Sequence, residues 1–263
     1  MTIRLGAVGY LNARPLTWAL DRAPDRWQIR YDFPSVCSAL LKAGEVDLGL
    51  VPSIDYLDAA DYRLVPGVGI GSRGPVASVA LFTRMPIEAV RRIALDTSSR
   101  TSVALVKVLC HHRFHIEPEF VPHGPDLGAM TRGSDAALLI GDPALETDPD
   151  SLGVTKVDLG SEWHALTGLP FVYAVWTGRE GAAGAAHVAE LNAARDRGVA
   201  VIADIARRVG RGNPRATDRA LRYLRDNLKY ALGDRELAGL RRFHELAAES
   251  GLVPGLRDLR FYG

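Results

Sequence analysis

In Val46-Asp47-Leu48-Gly49-Leu50-Val51-Pro52-Ser53-Ile54-Asp55-Tyr56, an apolar run of strand length passes without a spacer into a proline-led turn that opens a helix. A near-continuous apolar run of this length marks a strand buried on both faces, as in a parallel sheet. Proline suits the first turn of the helix that follows, because its missing N–H is not needed there. The same unit recurs on either side. Gly44-Glu45 ends a helix at Ser35 to Ala43, which follows a strand at Gln28 to Phe33, and further back a strand at Ile3 to Val8 precedes a helix opened at Pro15 to Leu20. Downstream, Tyr62 to Arg84 has β-like content, clearest in Val76 to Phe82. Then the unit restarts, with Arg92 to Leu95 as a strand, Asp96 to Ser102 rich in capping residues, and a helix to about Leu109. Ala136 to Ile140 and Phe171 to Trp176 read as further strands. From Ala182 onward the i, i+3, i+4 apolar spacing predicts three or more helices, separated at Gly212-Asn213-Pro214 and Gly233-Asp234.

An α/β chain that begins one set of units, starts a second near residue 90 and returns near 175 predicts two lobes joined by two crossovers, with a ligand cleft between them. Lobe 1 is expected to comprise residues 1–88 and 175–263, with the C-terminal helices, and lobe 2 residues 89–174.

At 263 residues, 47% apolar and 24% charged, the chain has the make-up of a self-folding globular protein, which excludes a disordered or fibrous one. Its 32 basic and 31 acidic residues leave a net charge of +1, too balanced for a general nucleic-acid or membrane-surface binder, so any anion must be held locally. No stretch approaches membrane-spanning length, and Met1 to Tyr10 carries no long apolar run before a cleavage site, so a cytoplasmic location is expected. Cys37 and Cys110 read as reduced packing residues, since two cysteines make no disulfide framework. Oligomeric state is not legible.

Polar or small residues stand at four strand-to-helix junctions: Asn12-Ala13-Arg14-Pro15, Val51-Pro52-Ser53, Ser98-Ser99-Arg100-Thr101 and Gly141-Asp142-Pro143. In open parallel sheets such junctions face the ligand crevice, and helix N-termini converging there hold a carboxylate without net positive charge. The expected ligand is a small organic anion. Ser98, Ser99 and Thr101 serve equally well as plain helix caps, but Arg100 beside three hydroxyls favours binding. Gly69-Ile70-Gly71-Ser72-Arg73-Gly74 matches the dinucleotide spacing, yet Pro75 and a β-like run replace the required helix, so it reads as a glycine-rich turn or connector whose Ser72, with nearby Ser78, faces the cleft. His111 and His115 have i, i+4 spacing, but no carboxylate in helical register completes a zinc motif; a solvated helix end is the simpler reading, and no metal is expected. Trp163-His164 either stacks on an aromatic acid or covers a loop.

Five segments together resemble the chorismate dehydratase family of the futalosine route to menaquinone. They are Gly9 to Leu16, Asp47 to Ser53, Leu95 to Ser102, Leu139 to Asp142, and Trp163 to Ala174, in order across most of residues 4 to 176. Gly9 stands where the family often has serine. The resemblance implies the two-lobed type II fold of periplasmic solute-binding proteins and an enzyme that removes water from chorismate to give 3-[(1-carboxyvinyl)oxy]benzoate, with no cofactor. It also implies Asn12 and a cleft serine, Ser78 before Ser72, nearest the chemistry. By the same resemblance Ser98, Ser99, Arg100 and Thr101 hold a carboxylate, and Ser53 and Asp142 shape the pocket. Two other readings stay open: a related 1,4-dihydroxy-6-naphthoate synthase-like enzyme, whose N-terminal motif is richer in Cys, Pro and Asp, and a non-catalytic binding protein for a small organic anion.

Overall fold

A computed structural model describes residues 2–263. From the N-terminus, β1 (Ile3–Val8), the short helix α1 (Arg14–Thr17), β2 (Trp27–Asp32), α2 (Pro34–Ala43), β3 (Leu48–Pro52) and the long β4 (Tyr62–Ser72) build one layer. The chain then crosses over into β5 (Val79–Thr83), β6 (Arg92–Asp96), α3 (Arg100–Leu109), β7 (Glu119–His123), α4 (Leu127–Gly133), β8 (Ala136–Ile140), α5 (Gly141–Glu146), α6 (Pro149–Leu152), β9 (Thr155–Asp158) and α7 (Leu159–Thr167). It returns through β10 (Phe171–Arg179) to α8 (Ala185–Ala200), α9 (Ile202–Gly210), α10 (Pro214–Arg222), β11 (Leu228–Ala231) and α11 (Asp234–Glu249).

Two sheets result, ordered β11-β4-β10-β3-β1-β2 and β7-β6-β8-β5-β9. Each holds a parallel trio, β2-β1-β3 or β7-β6-β8. In each, the antiparallel neighbour of that trio is the strand delivered by a crossover, β10 in the first sheet and β5 in the second. The two lobes therefore repeat one plan, and the carboxyl ends of both trios meet at the seam between them.

Two lobe boundaries differ from expectation. Val79–Thr83 pairs with β8 and β9 and so belongs to the second sheet, and all of Phe171–Arg179 lies in the first. The second lobe thus starts near residue 79, not 89, and ends before 171, not at 174. Periodicity along a strand is identical whichever sheet receives it; only the pairing partner decides, and the partners are remote in sequence. The expected strand at Val76 to Phe82 also starts later, because Val76 to Ser78 form a pinned turn described below.

β8 shows why the second sheet is covered on both faces: Ala136, Leu138 and Ile140 join the main core, while Ala137 and Leu139 alternate into a second cluster with Ala80, Phe82, Met130 and Val154. The glycines of the dinucleotide-like run serve strand packing. A Cβ on Gly69 or Gly71 would lie 2.8 Å from the backbone oxygen of Ala174 or Phe171 on β10, so only glycine lets these two strands approach. Trp163 is wholly buried against Phe171 and Phe243 and donates to the Pro170 carbonyl at 3.1 Å, which makes it core. Cys37 and Cys110 are free and buried, and burial pushes both thiols up to about 12.

Candidate active site

Asn12 lies in a single 3-10 turn, Leu11–Ala13, that carries the chain from β1 to α1. Across the seam, Ser78 ends the first crossover. Its turn is held from below: the Asp158 carboxylate accepts from the N–H groups of Val76 and Ala77, and Lys156 donates to the Ala77 carbonyl at 2.7 Å. Ala77 sits at φ 65°, a left-handed conformation a residue with a Cβ adopts only when its surroundings enforce it. Asp158 also caps α7 through the Ser161 N–H, so one carboxylate ties this turn to the start of a helix.

Asn12 and Ser78 face one small cavity of about 40 Å³, together with Tyr10, Ser99, Ser102 and Tyr173 and an apolar wall that includes Ile70, Val79 and Ile140. Among the described residues no charged side chain lines it. Ser99 caps α3, accepting from the Ser102 N–H at 3.4 Å, and the Ser102 hydroxyl donates to Ser99 Oγ at 3.3 Å. Asn12 Oδ1, the Tyr10 hydroxyl and Ser98 Oγ are buried without a hydrogen-bond partner. Orphaned acceptors and hydroxyls are costly to bury, and two of these three, Asn12 Oδ1 and the Tyr10 hydroxyl, belong to residues lining the cavity, where they have bonding capacity left for a polar group. Burial raises the Tyr10 pKa, with the Ser98 hydroxyl opposing. The Tyr10 ring lies so close to Gly141, at φ +65°, that a Cβ there would meet ring carbons at 2.7 Å; glycine is what lets Tyr10 close against the opposite lobe.

The remaining expected site residues lie elsewhere. Arg100 is turned away from the cavity into an acidic cluster: its Nη1 stands 2.6 Å from Asp55 and 2.5 Å from Asp58, and Lys42 Nζ is 2.6 Å from Asp58. A guanidinium so paired is not free for a substrate carboxylate. Asp55 is held up at about 6 by burial, with Arg100 opposing. Burial also acts upward on Asp58, but its bonds to Arg100 and Lys42 prevail and hold it below the ordinary carboxylate range. Thr101 accepts from the Ile54 N–H at 3.1 Å and so ties the lobes together beside that cluster, whereas Ser53 donates to the Val172 carbonyl at 2.7 Å within the first lobe. Asp142 accepts from the Leu11 N–H at 3.0 Å and lines a separate groove with Arg14, Trp18 and Arg208. Ser72 donates to the Gly74 carbonyl at 2.9 Å and meets the Tyr173 hydroxyl at 3.1 Å, behind the cavity wall. Of the residues reasoning from sequence left unassigned, Ser102 was within the capping run and Tyr10 and Tyr173 within recognised segments. Tyr223, which reaches Ser78, had no signal.

A family model described as "Menaquinone biosynthesis" matches residues 3–249. The chorismate dehydratase of Thermus thermophilus is 32% identical over 262 residues, covering 92% of this chain and 93% of that protein. Among solved structures, a protein from Archaeoglobus fulgidus superposes with TM-score 0.74 at 18% identity, over 96% of this chain and 98% of that one. A Candida albicans gene product described as having the generic periplasmic binding protein fold superposes with TM-score 0.69 at 12% identity, over 98% and 92%. At these identities the structures speak to fold alone, and they agree with the two-lobed, periplasmic-binding-protein-like architecture.

Proposed function

The chain belongs to the menaquinone-biosynthesis family, and from that premise we propose that it is a chorismate dehydratase, a hydro-lyase that converts chorismate to 3-[(1-carboxyvinyl)oxy]benzoate. The observation that carries the reading is the meeting of Asn12 from one lobe and Ser78 from the other on a single cavity whose polar groups include an orphaned Asn12 Oδ1.

The reaction breaks the C–H bond at the ether-bearing ring carbon and the C–O bond of the adjacent hydroxyl. The C–H electrons complete an aromatic ring, so much of the driving force resides in the substrate. Neither Asn12 nor Ser78 is a strong base at neutral pH, and no carboxylate or histidine of the described residues borders the cavity. The substrate's own enolpyruvyl carboxylate is therefore the proton acceptor in this scheme. The protein's share is to hold that carboxylate over the ring proton, to donate to the departing hydroxyl and to keep water out. Asn12 and Ser78 orient and donate. Ser99, one of the four residues expected at a substrate carboxylate, keeps that role in this scheme, and Ser102 joins it with the N–H groups of the first turn of α3 in place of Arg100. The futalosine route and a cytoplasmic location follow from the family reading; among the described residues no helix is long and apolar enough to cross a membrane.

The test is direct. Purified chain incubated with chorismate and a chelator is expected to accumulate the enolpyruvyl ether of 3-hydroxybenzoate, followed by liquid chromatography. Saturable chorismate binding without product would instead make the chain a solute-binding protein.

A further inference from the structure

α10 does not end cleanly. It widens into a five-residue π-helical turn, Tyr223–Asn227, before β11. Such turns are rare and gather at functional sites because they re-aim one side chain at the expense of regular hydrogen bonding. Here the first residue of the turn is Tyr223, whose side chain is 1% exposed and whose hydroxyl donates to Ser78 Oγ at 2.7 Å. Tyr223 does not border the cavity; it stands behind Ser78, which does.

We propose that Tyr223 is a positioning residue for the dehydration, fixing and polarising the Ser78 hydroxyl so that its proton points at the departing oxygen of the substrate. The inference rests on the functional reading above. A serine hydroxyl carries one hydrogen and two lone pairs. With one lone pair occupied by the phenol, and no other side-chain bond to Ser78 among the described residues, the serine hydrogen is left for the cavity. Donation into Oγ also makes that hydrogen a better donor, since chained hydrogen bonds polarise one another. Burial raises the Tyr223 pKa, so the phenol keeps its proton through the working pH range. No proton leaves Tyr223. The ring proton taken by the substrate carboxylate and the departing hydroxide together make up the water lost, and both side chains finish as they began.

Tyr223→Phe keeps the buried ring and removes only the hydroxyl. It is expected to lower kcat about 10- to 100-fold, the range for partners that orient a reacting group from behind. KM should stay within about threefold and the thermal midpoint within a few degrees, as expected when only one hydroxyl is lost. In a Ser78→Ala background the same change is expected to do nothing further to kcat, because its route runs through Ser78. Site-specific 3-fluorotyrosine, which preserves the ring and strengthens the donor, is expected to keep kcat at or above wild type, and it carries the test by itself if Tyr223→Phe does not fold. A wild-type kcat in Tyr223→Phe, an equal loss in the Ser78→Ala background, or a fluorotyrosine variant slower than wild type each overturns the inference. Wild-type chain that never turns over chorismate overturns the functional reading, and the inference with it.

Discussion

Two stretches of the seam between the lobes are built from the same part, a strand running into a helix start, yet they end in opposite electrostatic states. At Asn12, Ser78, Ser99 and Ser102 the groups are neutral, and Asn12 Oδ1 is buried without a partner. At Asp55, Asp58, Lys42 and Arg100 the groups are charged and bonded to one another across the lobes. Ser38 also bonds to Asp55 there. A charge with its counter-charges already in place has little left to offer a ligand, whereas an unmet acceptor has its full bonding capacity in reserve. The difference supports the proposal that ligand binds at the neutral stretch, and the charged one ties the lobes together as a latch.

Substitution on the two sides should therefore separate rate from stability. Ser78→Ala and Asn12→Ala are each expected to lower kcat by about 10²- to 10³-fold, comparable to losing one preorganised donor to developing charge. Single-turnover rates and melting curves on the same preparations check this, and a variant that melts early yet turns over normally would move that residue to the structural side. The opposite signature is expected at the latch. Arg100→Ala strands the buried Asp55 without its partner and should cost about 2–3 kcal/mol of stability, discounted because the guanidinium is half exposed. Chorismate KM should change less than about threefold, since no charge is removed from the cavity. Denaturant melts beside initial rates decide it; a tenfold rise in KM at unchanged stability would return Arg100 to the substrate.

The smallest effect concerns pH. Burial holds Asp55 up at about 6, so folding favours its protonated form, and stability falls as pH rises through the interval from the ordinary aspartate value to 6. His244, buried with Nε2 3.2 Å from the Ser53 carbonyl, is held down at about 4, chiefly by burial. Its contribution is present above the ordinary histidine value of 6.5 and is lost as pH falls toward 4. The two slopes oppose each other, so wild-type stability should be nearly flat between about pH 4 and 6. Asp55→Asn removes one slope, and stability should then rise by roughly 2 kcal/mol from pH 4 to 6.5. Chemical denaturation at stepped pH measures it, and a flat profile in the variant would show that the histidine is not buried as described.

The alternation of strands and helices was legible because each signal is local: the apolar run at Leu48 to Val51, the cap at Ser99, the proline at Pro15 and the glycine stop at Gly44 act within a turn or two of chain. Asn12 stood out because it follows a strand end, where a crevice opens, whereas Ser78, inside an expected strand, was singled out for the chemistry only by the family resemblance. Arg100 drew attention because it is a charge beside the capping residues Ser98 and Ser99, whereas the acids it pairs with lie more than forty residues earlier in the chain. Tyr223 left no trace for the same reason, being 145 residues from the serine it holds.

By itself, then, the order of residues determined most of the strands and helices, though not β7, β9 or β11, that the chain folds into two α/β lobes, and which junctions carry polar groups. Periodicity, caps and turn residues act through contacts a few positions apart, and these survive in a one-dimensional reading. Only the tertiary structure decided that Val79–Thr83 joins the second sheet, that Arg100 closes a latch, and that Tyr223 stands behind Ser78. Each of those depends on a partner brought close by the packing of both lobes, and whether a polar group is satisfied or left open is a property of that partner as much as of the residue itself.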